Sequence, residues 1–189
     1  PGIKFLDGWV HEGQGRYKQA IASYREHLVS FDSDQITRRR LVQLLARERR
    51  FEEAYQEAGI VSRSSPGDFL ALEVEADLAF RAKHAGEGEQ IVLEMLAQSG
   101  SDPDRAFRAT AMLVRNDRKK RGISLADTWA TSAQPPDGEM LSSRIRGLAE
   151  DPKGAMTYAQ KAVAIAPDSL APRVLVARLH ATARSFAAA

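Results

Sequence analysis

The chain has 189 residues, with 27 Lys and Arg against 25 Asp and Glu, and no cysteine. A net charge of +2 gives no global drive toward nucleic acid or an anionic membrane. The absence of thiols excludes disulfides, thiolate zinc sites and thiol catalysis, and fits cytoplasm or periplasm equally. An apolar share of 43% is that of a folded chain, and no apolar run approaches the ~18 residues of a membrane helix. The chain begins at Pro1 rather than Met and reads as a segment of a longer protein.

Taken in order, the apolar spacing predicts helices throughout. The first, over about 3–13, carries Phe5, Leu6 and Trp9, and Gly15 ends it. The second, 17–31, shows Ala20, Tyr24 and Leu28 on one stripe, every fourth residue. Asp32-Ser33-Asp34 is turn chemistry that caps a third helix from about 35, striped by Ile36, Leu41, Leu44 and Leu45. A fourth runs 51–62. Pro66 and Gly67 then stop it, and Asp68 is the cap of a fifth over 69–83. A sixth spans 87–98, and Pro103 stands in the first turn of a seventh. RNDRKKR (115–121) fills the turn before an eighth helix over 123–130. TSAQPPDG (131–138) is a loop. Helices over 139–149, 153–165 and 169–186 follow.

The second helix is also the start of a repeat. Stepping by 34 residues from Ala20 gives Ala54, Gly88 and Gly122, and after a slip of one residue Ala155. From Tyr24 the same steps give Ala58, Val92, Ala126 and Ala159, and from His27 they give Val61, Met95, Trp129 and Ala162. Pro66 and Pro167 fall on the position of Asp32. Small residues at the first of these positions suit two helices that cross closely. The pattern resembles the tetratricopeptide repeat, with Gly15, Tyr17, Ala20 and Tyr24 matching it and His27 and Asp32 departing from it. The resemblance covers nearly the whole chain. It implies an all-α, right-handed α-solenoid of helical hairpins, a single superhelical domain over 1–189. Its repeats are 1–34, 35–68, 69–102, 103–135 and 136–169, with a terminal helix over 170–189.

No catalytic or cofactor motif accompanies the repeats. His11, His27, His84 and His180 lack ligand spacing, HExxH is absent, and no GxSxG, P-loop or GxGxxG stands in a strand–turn–helix context. Acids such as Glu52-Glu53 and Glu73, Glu75 and Asp77 belong to solvated helix faces. The expectation is a protein that is not an enzyme and takes no cofactor and no metal.

The resemblance implies instead a scaffold that binds a peptide or protein partner in a groove lined by the first helix of each hairpin. The groove positions are filled by Trp9, Arg39, Arg40, Gln43, Arg47, Asp77, Phe80, Arg81, Phe107, Arg108, Arg144 and Arg178. The mapping also places Ala111 and Leu141 there. Arginine beside apolar anchors suits an acidic or mixed peptide, since guanidinium forks pair with carboxylates. Some relatives grip a terminal carboxylate with a clamp. The corresponding residues here are Arg39, Gln43, Val74, Asp104 and Arg108, and Val74 and Asp104 break the pattern. Relatives of this kind serve as adaptors in bacterial secretion, pilus and exopolysaccharide-export assemblies. The alternative is a helical regulatory domain that binds nucleic acid through the basic turn 115–121, against which stand the interleaved acids Glu48, Glu52, Glu53 and Asp117.

Overall fold

The computed structural model describes residues 2–187, and its described residues form eleven α-helices and no strand. They are α1 (Gly2–Gly13), α2 (Tyr17–Ser30), α3 (Gln35–Arg47), α4 (Phe51–Ser64), α5 (Phe69–Arg81) and α6 (Ala85–Ser99). Then come α7 (Pro103–Arg115), α8 (Lys119–Ala130), α9 (Asp137–Leu148), α10 (Pro152–Ile165) and α11 (Leu170–Ala187). Pro1 and the last two residues of the expected terminal helix, 188–189, lie outside the described residues. Two compact units result, Pro1–Ile91 and Val92–Ala189.

In the first unit α1 packs on α2, α2 on α3, α3 on α4 and α4 on α5. Its core gathers Ile21, Tyr24, Leu41, Leu45, Ala54 and Val61. In the second, α7 packs on α8, α8 on α9, α9 on α10 and α10 on α11, around Ala106, Ala126, Trp129, Leu141 and Ile145. The Trp129 indole N–H donates to the Gly100 carbonyl at 3.0 Å.

The crossing positions read from the repeat are all inside. Ala20, Ala54 and Ala155 are fully buried, and Gly88 and Gly122 are buried with them. The glycines show why size matters. A Cβ on Gly122 would lie 2.7 Å from Val114 Cγ2 and 2.9 Å from the Thr110 carbonyl oxygen, and one on Gly88 would lie 3.0 Å from the Phe80 ring.

Both ends of the odd-numbered helices follow the same period. Asp34, Asp68 and Asp102 cap α3, α5 and α7, each accepting from the two backbone N–H groups that lie two and three residues on. At the other ends Gly15, Arg49, Lys83, Asp117 and Glu150 take the left-handed conformation, with φ between 61° and 71°. The next N–H in each case reaches back five residues, as from Arg50 to the Leu45 carbonyl and from His84 to the Ala79 carbonyl. This is a Schellman motif repeated five times. Only Gly15 has the side chain, or lack of one, that makes the conformation easy, so the other four ends were invisible in the sequence.

The structure moves several boundaries. Helix α8 begins at Lys119 rather than 123, because the period places its first turn there, as it places Tyr17 and Phe51. Lys119, Lys120 and Arg121 are therefore helical, and RNDRKKR is not one turn. The loop shrinks to 131–136, because α9 begins at Asp137 and Gly138 lets it approach α8, where a Cβ would meet the Ala130 carbonyl at 2.8 Å.

Two stability predictions follow from this geometry. Ala54→Leu overpacks the α3–α4 crossing by about 1–3 kcal/mol and should lower Tm by roughly 2–10 °C, while exposed Gln56→Leu leaves it nearly unchanged. An equal drop in both would contradict the crossing. Lys83→Gly relieves a left-handed lysine and should stabilise by about 0.5–1 kcal/mol in urea melts, after the extra chain entropy of glycine. Asp117→Gly should gain less, because aspartate tolerates that conformation better.

Candidate functional site

The outward positions of α1, α3 and α5 combine exposed aliphatic and aromatic surface with paired charge. Leu6 is 53% exposed, Trp9 55%, Ile36 69%, Leu70 56% and Val74 39%. The arginines between them have partners already. Arg39 Nη2 donates to Asp68 Oδ2 at 2.7 Å, and Arg40 meets Glu12 Oε2 at 3.2 Å. Glu12 is held in turn by the Tyr24 hydroxyl at 2.6 Å. Burial, then that hydrogen bond, push the Tyr24 hydroxyl well above the usual tyrosine range. Gln43 is exposed beside Arg39.

The four other expected groove residues of this unit, Arg47, Asp77, Phe80 and Arg81, are engaged in packing or pairing within the fold. The Arg47 guanidinium lies 4.2 Å from the centre of the Tyr17 ring, and that of Arg81 lies 5.6 Å from the Phe51 ring. These are the same two positions one repeat apart, so a stacked arginine joins the ends of α3 and α5 to the heads of the preceding α2 and α4. Arg81 also pairs with Asp77 at 2.8 Å. The Phe80 ring lies against Gly88.

In the second unit Arg144 stacks 3.9 Å above the Phe107 ring and donates to Asp104 Oδ1 at 2.8 Å. Arg144 and Arg178 both line a cleft of about 490 Å³ between α9 and α11, with Met140, Leu170, Val174 and Leu175 as its apolar walls. Arg108 is exposed on α7. Ala111 and Leu141 lie in the core, at 0% and 1% exposure, because each turns toward the helix packed against it rather than outward.

The basic runs are dispersed by ion pairs. Arg38 is buried against Glu57 and donates to the Asp32 carbonyl at 2.7 Å, while Arg39 and Arg40 turn to Asp68 and Glu12. Arg50 pairs with Glu53, whose carboxyl is held down at about 2 by hydrogen bonds from Arg50 and Arg25. Lys119 pairs with Glu150. Among the described residues no three acidic or histidine side chains gather to hold a metal, and no helix is long and apolar enough to cross a membrane. His27 is buried, bonded to Asp34 at 2.9 Å and stacked on Phe31, as a packing residue would be.

Hairpins at this period, with small residues at each crossing, define the tetratricopeptide-repeat fold, and solved structures of that class superpose on the chain. MamA protein does so with a TM-score of 0.57 and 12% identity, over 86% of this chain and 89% of that one. YrrB, described as a TPR protein with an unusual peptide-binding site, gives 0.52 and 14%, over 95% and 90%. The pilF protein of Pseudomonas aeruginosa gives 0.50 and 19%, over 93% and 78%. No family model and no curated protein matches the sequence.

One cap carries a pH prediction. The Arg39 hydrogen bond, then the Ala71 and Leu70 N–H groups, outweigh burial and hold the Asp68 carboxyl below its ordinary value of 3.8. A depressed carboxyl stabilises the fold above its unfolded value and loses that contribution as pH falls through its folded one. Asp68→Ala should therefore cost about 1 kcal/mol at pH 7. The gap to the unsubstituted chain should close in urea melts as the pH drops below 3.8. A gap that persists at low pH would mean that the carboxylate is not its source.

Proposed function

We propose that the chain is a non-enzymatic protein-interaction scaffold that binds a peptide or protein segment along the outward face of α1, α3 and α5. The observation that carries this reading is the row of exposed large apolar side chains on α1, α3 and α5, Leu6, Trp9, Ile36, Leu70 and Val74. Covering such surface contributes roughly 25 cal/mol per Å². Water-exposed apolar patches on helices that are otherwise well packed mark interaction sites. The likeness in fold to YrrB, a protein described by its peptide-binding site, agrees with it.

The partner's anchors are apolar. A ligand carboxylate at Arg39 or Arg40 has to displace Asp68 or Glu12, so these guanidiniums select among partners more than they add affinity. Acidic residues of the partner meet Arg178 at the cleft of the second unit, where Arg144, like Arg39 and Arg40, is already held by an acidic side chain, here Asp104 at 2.8 Å. An adaptor in a bacterial secretion, pilus or exopolysaccharide-export assembly is the role that such a scaffold fits.

The test compares two variants in pull-downs from the source organism's lysate. Trp9→Ala/Ile36→Ala/Leu70→Ala removes only exposed side chains and should leave the circular dichroism unchanged while weakening capture of the main partner at least tenfold. Lys119→Ala/Lys120→Ala/Arg121→Ala should retain it. The reverse ranking, with binding that falls steeply with salt, would replace the scaffold reading with nucleic-acid binding.

A further inference from the structure

The net charge of +2 conceals a separation within the first unit. The turns that join α1 to α2, α3 to α4 and α5 to α6 lie together at one edge of it. Arg47 at the end of α3 stacks on Tyr17 at the head of α2, and Arg81 at the end of α5 stacks on Phe51 at the head of α4. His84 and Glu52 meet at 2.7 Å across the last two of these turns. Arg16, Lys18, Arg49 and Lys83 stand on this edge, all exposed, and none is paired with an acid among the described residues. The acids nearby are mostly engaged. Arg50 and Arg25 hold Glu53, and His84 holds Glu52, leaving Glu48 and, 4.0 Å from His84, Glu87. At the opposite edge stand Asp32 and the caps Asp34 and Asp68.

Two of the four cations sit where the backbone least favours a side chain. Arg49 and Lys83 hold φ at 61° and 69°, the conformation that Gly15 takes without strain in the first hairpin. No ion pair within the fold accounts for a cation at either place. Helices α2 and α4 also begin at this edge without a side-chain cap, so their free N–H groups add positive partial charge to it. We infer that the edge is a docking surface for an anionic phospholipid bilayer. The surface differs from the outward face of α1, α3 and α5, which stays open to a protein partner while the edge is docked. The form of the charge selects the ligand. Lysine and arginine side chains on successive turns, not fixed by partners, suit a sheet of many mobile headgroup phosphates, where each cation adds its own increment of attraction. Nucleic acid fits less well, because the rings at this edge that could stack on bases, Tyr17 and Phe51, already lie under Arg47 and Arg81.

The experiment sediments the full chain with vesicles of phosphatidylglycerol and phosphatidylcholine in equal parts, and with vesicles of phosphatidylcholine alone. The chain should bind the first and not the second, and binding should weaken as salt rises. Arg49→Gly/Lys83→Gly removes two edge cations and relieves two left-handed turns, so the fold is kept while binding falls at least tenfold. Lys4→Ala/Arg63→Ala takes the same charge from the opposite edge and should leave binding within twofold. Adding Arg16→Ala/Lys18→Ala to the glycine pair should abolish it. An equal loss in the two double variants would mean that net charge, not this edge, is read, and would overturn the inference. No binding to the anionic vesicles would also overturn it, as would tighter binding to a duplex oligonucleotide that the glycine pair weakens alike. None of these outcomes touches the Trp9, Ile36 and Leu70 test, so the scaffold reading stands or falls separately.

Discussion

Two helices approach only as closely as the side chains between them permit, and here that distance is set once per repeat. At 20, 54, 88, 122 and 155 the residue is alanine or glycine, and every one is buried. At Gly122 the neighbouring helix's backbone oxygen stands within 2.9 Å of where a Cβ would be. Such contacts fix the depth and angle of each hairpin, because ridges cannot enter grooves that a larger side chain fills. The turn geometry follows. Each odd helix must stop and reverse within a few residues of the crossing, and the left-handed residue with its five-residue back-bond does this at 15, 49, 83, 117 and 150. Non-glycine residues at four of these positions put backbone strain of about 1–2 kcal/mol each into the turns. The chain tolerates it because the crossings on either side leave no other path.

Charge has a second place in this order. Arginine is frequent, and several arginines lie in pairs that fasten one hairpin to the next or one helix to its neighbour. Arg39 holds the cap of α5, Arg47 and Arg81 stack on the rings that open α2 and α4, and Arg146 grips Asp127 through two bonds of 2.7 Å while lying over Tyr158. Exposed pairs of this sort contribute little singly, about 0–1 kcal/mol. Under the scaffold reading proposed above, these pairs also matter for binding, because they neutralise Arg39 and Arg40 and leave exposed Trp9, Ile36 and Leu70 as the proposed source of affinity.

The sequence shows those parts of the fold that recur in residue type. The crossings were legible because alanine and glycine return every 34 residues, and the cap at Asp68 because proline and glycine precede it. The left-handed turns were not, since arginine, lysine and glutamate carry no sign of that conformation and aspartate only a weak one. The same limit applies to the face. Trp9 and Val74 can be placed on it by register alone, whereas Ile36, read into one stripe with the buried Leu41, Leu44 and Leu45, sits in the first turn of α3 and stands 69% exposed. The partners of Arg39, Arg40 and Arg144 cannot, because they lie 29, 28 and 40 residues away and belong to no short-range pattern. Register likewise puts Ala111 and Leu141 outward, although both pack into the core of the second unit.

Repetition and its failures do different things in such a chain. Where the repeat is kept, as at the crossings and caps, it supplies rigidity that any partner-binding face requires. Where it lapses, it supplies individuality. Tyrosine gives way to alanine at 58 where glycine at 8 gives way to Val42, so the first two hairpins fill the same place from opposite helices, one with a ring and the other with a branched aliphatic side chain. The aspartate cap gives way to Pro136 before α9, and the hairpin that follows carries the cleft with Arg144 and Arg178. A substitution that restores only one half of such an exchange, such as an aromatic at 58 facing Val42 where the first hairpin has Gly8, should therefore overpack the hairpin rather than regularise it.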